Sequence, residues 1–97
     1  MSDPTENARE IEGVLTAAFT PEVLRIQDDS AHHAGHAGNV TGGGHYTVTL
    51  VSTSFAGLTR VEQHRRVYES LGRRMGTMIH ALALRTMTPD EWSRLTD

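Results

Sequence analysis

His45-Tyr46-Thr47-Val48-Thr49-Leu50-Val51-Ser52 decides the fold, because its alternation of apolar and polar residues is the cleanest in the chain. Tyr46, Val48 and Leu50 fall on one face and the threonines on the other, the period-two pattern of a half-buried strand. Downstream, Thr59-Arg60-Val61-Glu62 is a capping box that opens the longest helix. Val61, Tyr68, Leu71, Met75 and Met78 or Ile79 are read as its apolar stripe, with His64 on the same face. Gly72 and Gly76 weaken its last turns, so its end is expected between Gly72 and Met78. Ile79-His80-Ala81-Leu82-Ala83-Leu84-Arg85 then alternates like a buried strand. A strand–helix–strand passage is a right-handed crossover, which makes these two strands parallel.

Upstream, Val23 to Gln27 alternates with Leu24 and Ile26 on one face, a further strand that pairs antiparallel with the first. Asp3-Pro4-Thr5-Glu6 carries the signals of a helix start, with Ile11, Val14, Leu15 and Ala18 at helical spacing and Thr20-Pro21 as the stop. Thr88-Pro89-Asp90-Glu91 opens a terminal helix through Trp92 and Leu95. Glu62 with Arg66, and Glu69 with Arg73, are expected to pair on the outer face of the long helix. The fold class is thus α+β: a three-stranded mixed sheet with helices packed on it.

That topology decides where the histidines go. Parallel strands begin at the same edge of a sheet, so His45 and His80 start together. The antiparallel strand ends at that edge and delivers Asp28-Asp29-Ser30-Ala31-His32-His33-Ala34-Gly35-His36, the start of a connection of roughly 14 residues, far beyond the two to five of most hairpins. Five of six histidines are expected at one rim. A loop so rich in imidazole invites a metal; the plain alternative is a surface loop whose histidines only solvate it. A zinc site from His33, His36, His45 and His80 is the competitor that the residues alone suggest.

The 97 residues are read as one domain, 1–97, without a repeat. A net charge of −3 gives no global field toward nucleic acid or membranes. All nine basic side chains are arginine, and the lack of cysteine removes disulfides and thiol chemistry. No apolar run is long enough to cross a membrane and no signal peptide opens the chain, so a cytoplasmic protein is expected. An enzyme is not expected: the chain has no nucleophile elbow, P-loop or dinucleotide fingerprint. Asp28 and Asp29, adjacent on a strand, face opposite ways and cannot share acid/base work.

Asp-Asp-Ser-x-x-His-Ala-Gly-His, Gly-His-Tyr, Phe-x-Gly-Leu-x-Arg-Val-x-x-His-Arg-x-Val-Tyr, Ile-His-Ala-Leu-Ala-Leu and Thr-Pro-Asp-Glu-Trp, in this order, resemble the BolA family across nearly the whole chain. The resemblance implies a BolA-like fold similar to a class II K-homology (KH) domain, with a short extra helical turn near Phe55–Leu58. It also implies a monothiol glutaredoxin as partner in a heterodimer that shares a bridging 2Fe–2S cluster. The glutaredoxin cysteine and a glutathione thiol hold one side of that cluster. His80 matches the family's C-terminal ligand histidine, and His33 matches the loop position that holds histidine or cysteine. His36 is a possible substitute, and His45 either steers a ligand or stands in for one. The isolated chain, a monomer or weak homodimer, is expected to hold no cluster.

The plain readings are a hydrogen-bonded core histidine for His80 and a satisfied core histidine for His64. A second functional reading is DNA binding by a BolA-type transcriptional regulator, through Arg60, Arg65, Arg66, Arg73 and Arg74. The acidic balance, the scarcity of stacking aromatics and a Gly72–Gly76 spacing one residue too long for a GXXG clamp weigh against it.

Overall fold

The computed structural model describes residues 4–29 and 44–96. Helix α1 spans Pro4–Phe19, strand β1 Val23–Asp28 and strand β2 Gly44–Val51; helix α2 runs Arg60–Leu71, strand β3 Ile79–Met87 and helix α3 Pro89–Thr96. The sheet order is β1-β2-β3. β1 pairs antiparallel with β2, Leu24 opposite Leu50 and Ile26 opposite Val48, and β2 pairs parallel with β3. This is the mixed sheet the alternation predicts.

The two capping boxes in the second half of the chain form as written. The Thr59 hydroxyl accepts from the Glu62 amide while Glu62 accepts from the Thr59 amide at 2.8 Å. Thr88 and Glu91 repeat the arrangement at 3.3 and 3.0 Å. Glu62 is thereby turned back on its own helix start, and the Thr59 amide holds its carboxyl below the usual range. Among the described residues, the arginine–carboxylate pairs in contact are instead Arg60–Glu91 at 3.1 Å and Arg74–Glu10 at 2.8 Å. A capping box competes for the same carboxylate as an i,i+4 pair, and here the cap wins at Glu62.

The core lies on one face of the sheet. Ile11, Leu15 and Phe19 of α1 and Val67 and Leu71 of α2 pack with Tyr46, Val48 and Leu50. The stripe of α2 departs from the expectation: Val61 is 66% exposed and Tyr68 40%, whereas Gln63, Val67 and Leu71 are buried. A polar residue holds the first inward position because its amide is fully used. Gln63 Nε2 donates to the carbonyls of Phe55 and Leu58, and its Oε1 accepts from Arg60 and from the buried Thr86 hydroxyl. Burying an amide costs little when every lone pair and proton has a partner.

The helix ends at Leu71, where Gly72 adopts φ 55°, and a 3₁₀ turn follows over Gly72–Arg74. The short turn before α2 lies at Thr53–Phe55, slightly ahead of the expected 55–58. Ser52 sets it there, accepting from the Ser54 amide and donating to the Phe19 carbonyl at 2.6 Å.

The other face of the sheet mixes polar and small residues and, among the described residues, is covered only at one end. Val51 and Met87 point outward by parity yet are buried, and the Trp92 ring of α3 lies 5.1 Å below the Arg25 guanidinium. At the opposite end Gln27, Ala81 and Ala83 are exposed.

Candidate functional site: the histidine rim

His45 and His80 meet at the open end of the sheet, with ring centroids 5.2 Å apart and planes inclined by 36°. Two features deliver them. Parallel pairing starts β2 and β3 at the same edge, and a bulge sits at the start of the ladder. Gly44 pairs with Ile79 but His45 pairs with Ala81, so His80 is the extra residue. A bulge breaks the strict alternation and re-aims a side chain. Ile79 goes into the core and His80 becomes exposed, although it has the parity of the half-buried Leu82 and Leu84. The core-histidine reading of His80 is therefore wrong, and the bulge is the reason.

Gly44 is held by its surroundings. Its amide donates to the Met78 carbonyl at 2.9 Å, and a Cβ there would meet the Tyr46 ring at 2.6 Å. Tyr46 is buried beneath it; burial pushes its phenol up, a hydrogen bond with Asn7 opposes that, and the nearby Asp28 adds to it. Asp29 points the other way: it accepts from Thr47 Oγ1 at 2.6 Å and Gln27 Nε2 at 2.8 Å, and its amide donates to the His45 carbonyl. The two aspartates face opposite sides, as their adjacency requires.

His32, His33 and His36 lie outside the described residues. Among the described residues no three histidine, aspartate or glutamate side chains gather at metal-binding distance. What the rim offers is two imidazole donors on adjacent backbones, borderline ligands suited to iron, zinc or copper. Two imidazoles on one tetrahedral ion with bonds of about 2.0 Å hold their ring centres roughly 5 Å apart, a spacing close to that of the observed pair. The chemistry of the two imidazoles is compatible with part of an iron ligand set, whose other members would have to come from elsewhere.

His64 stands apart. It lines a shallow cavity of about 530 Å³ with Val61, Arg65, Tyr68 and Glu69. Its Nε2 is buried with no hydrogen-bond partner among the described residues. Desolvation, then the Arg60 charge, pull its pKa below the usual histidine value. It is not the satisfied core histidine expected from its helix position, because the inward face of α2 is turned toward Gln63.

The arginines divide. Arg60 is spent on Gln63, the Thr86 carbonyl and Glu91, and Arg74 on Glu10 and the Leu71 carbonyl. Arg65, Arg66 and Arg73 are exposed.

A family model described as BolA-like protein matches residues 15–91. The chain belongs to the BolA family. It is 41% identical over 87 residues to the DNA-binding transcriptional regulator BolA of Escherichia coli, covering 90% of this chain and 80% of that protein. It is 38% identical to BolA-like protein 1 of Mus musculus, covering 92% of this chain but 61% of that protein, so it spans under two thirds of that relative's length. The structure of BolA1 from Arabidopsis thaliana superposes with a TM-score of 0.76 at 34% identity, covering 94% of this chain and 97% of that one. BolA relatives thus carry the names of regulators and binding proteins rather than of enzymes. Among the described residues, no helix is long and apolar enough to cross a membrane.

Proposed function

We propose that this BolA-family chain is the histidine-bearing partner of a monothiol glutaredoxin and shares a bridging 2Fe–2S cluster with it, in cluster trafficking or iron and redox sensing. The 5.2 Å approach of the His45 and His80 rings supports the reading. His80 is the fixed ligand, held by the strand and exposed at the rim. The second comes from His33, with His36 and His45 as alternative donors. When bound, the cluster supplies one-electron chemistry and transferable iron, and imidazole in place of thiolate raises its potential. Two neutral ligands also leave it less negative and easier to release.

Visible circular dichroism of the chain titrated with cluster-loaded glutaredoxin tests this. His80→Ala abolishes the new spectrum; His33→Ala leaves an altered spectrum and faster loss to chelators. A wild-type spectrum from His80→Ala removes His80 from the site and the reading with it. The chain purified alone is colourless, because two histidines cannot hold a two-iron cluster without thiolates.

A second reading, DNA binding, is favoured by the name of the 41%-identical Escherichia coli regulator and by the exposed Arg65, Arg66 and Arg73. Competition between a specific operator and random DNA at physiological salt separates the two. A preference of about a thousandfold promotes the regulator.

A further inference from the structure

We infer that the outer sheet face carries a site for phosphate, free or as a monoester, formed by Arg25, Thr49 and Arg85 at the foot of α3 and separate from the histidine rim. The ladder places these residues in one row, with Arg25 of β1 opposite Thr49 of β2 and Thr49 opposite Arg85 of β3. All three point away from the core, since their neighbours Leu24, Ile26, Val48, Leu50 and Leu84 pack inward. Both arginines are exposed. Adjacent strands lie about 4.8 Å apart, so the two arginine backbones stand about 10 Å apart with a hydroxyl between them. Guanidinium groups leaning over that gap reach one tetrahedral anion from both sides, and the Thr49 hydroxyl donates to it from below.

Charge identifies the occupant. Rows across a sheet favour opposite charges, and like charges close together cost stability. Yet among the described residues no carboxylate pairs with Arg25 or Arg85, the ion pairs in contact being Arg60–Glu91 and Arg74–Glu10. Asp29, on the same face, lies about 13 Å further along β1 and is tied to Thr47 and Gln27. The two positive charges of the row are left for a ligand of matching charge. A phosphate monoester carries close to two negative charges at neutral pH, whereas a phosphodiester carries one. Shape agrees. In the next row, Val51 and Met87 are buried, so the arginines stand where the sheet meets α3 and not in the middle of an open plane. The Trp92 ring of α3 lies 5.1 Å from the Arg25 guanidinium and restrains it by cation–π attraction. Among the described residues the N–H groups of Arg25 have no acceptor, so they are held in place and unspent. A donor ordered before its ligand arrives loses less entropy on binding.

The experiment follows the amide and indole resonances of the chain titrated at constant ionic strength with sodium phosphate, with phenyl phosphate, and with dimethyl phosphate as the singly charged diester. Saturable shifts are expected at Arg25, Thr49, Arg85 and the Trp92 indole. Arg25→Gln and Arg85→Gln are each expected to weaken binding at least fivefold, with Arg65→Gln on α2 within twofold of wild type. Amide spectra confirm that each variant is folded. Tighter binding of phenyl phosphate than of phosphate assigns an organic monoester and equal binding assigns the free anion; both support the site. Wild-type affinity in both variants overturns it, as do shifts that never saturate or that spread evenly over Arg65, Arg66 and Arg73. Dimethyl phosphate binding as tightly as phosphate overturns it equally, because one charge then suffices. The glutaredoxin reading stands or falls separately, on residues two rows away.

Discussion

The Thr86 hydroxyl donates to Gln63 Oε1 at 2.7 Å inside the core, joining the first turn of α2 to the end of β3. The same amide reaches the carbonyls of Phe55 and Leu58, so one side chain closes the connector, the helix start and the strand end together. Replacing Gln63 by leucine keeps the volume but leaves the Thr86 hydroxyl and two carbonyls unpaired. The expected cost is about 2–4 kcal/mol. Urea unfolding should show a lower midpoint at unchanged slope. A loss under about 0.5 kcal/mol would place the hub among ordinary surface contacts.

Gly44→Ala puts a methyl group about 2.6 Å from the buried Tyr46 ring, so the ring or the strand must shift. Overpacking of this kind costs about 1–3 kcal/mol. Because Gly44 starts the ladder where the bulge occurs, the strain falls on the residues that aim the imidazoles. Nuclear Overhauser contacts between the His45 and His80 rings should weaken in the variant. Unchanged contacts would show that the bulge, without the glycine, suffices to aim them.

His64 gives the protein a pH dependence of a definite sign. Its pKa is lowered in the fold, so the unfolded chain binds the proton first as pH falls. The associated stability is complete above the ordinary histidine value of 6.5 and is lost as pH drops from there through the folded value. His64→Gln should flatten the stability curve over that window. An equally steep acid loss in the variant would assign it to other groups.

Nucleic acid binding, where it occurs, should be carried by Arg65, Arg66 and Arg73 and should fade steeply with salt, since phosphate contacts release counterions. Removing one of these three lowers the salt slope by about one while leaving stability within about 0.5 kcal/mol. Arg60→Ala should do the reverse, lowering stability through Thr86 and Glu91 with the salt slope unchanged. Filter binding across a salt series, beside thermal unfolding, distinguishes the two classes.

What was legible in the chain was what depends on neighbours in sequence or on topology. The boxes at Thr59–Glu62 and Thr88–Glu91 are local, and both form. The meeting of His45 and His80 is not local, yet it follows from parallel strands sharing a starting edge, and it is found. The phase of α2 was misread because apolar periodicity favours Val61 and Tyr68 over Gln63, and an amide with four partners belongs in a core as well as a leucine does. The exposure of His80 was hidden for another reason: a bulge is a property of pairing between two strands, and neither strand's sequence announces it. For His64 the warning was its adjacency to Gln63, since neighbouring helical residues cannot both take the centre of one inward stripe. His33 and His36, the loop half of the expected ligand set, lie outside the described residues.

The bulge at His80 and the Gln63–Thr86 hub occupy opposite ends of β3. At one end of that strand a buried side-chain hub anchors the fold, and at the other Ile79 is in the core while the neighbouring His80 side chain is exposed. The exposed His80 side chain can be exchanged for a thiolate or a carboxylate without touching the core contacts of Ile79 and Tyr46 beside it. Natural variation and laboratory engineering alike can retune which ion or partner such a scaffold accepts, one substitution at a time, with the architecture held constant.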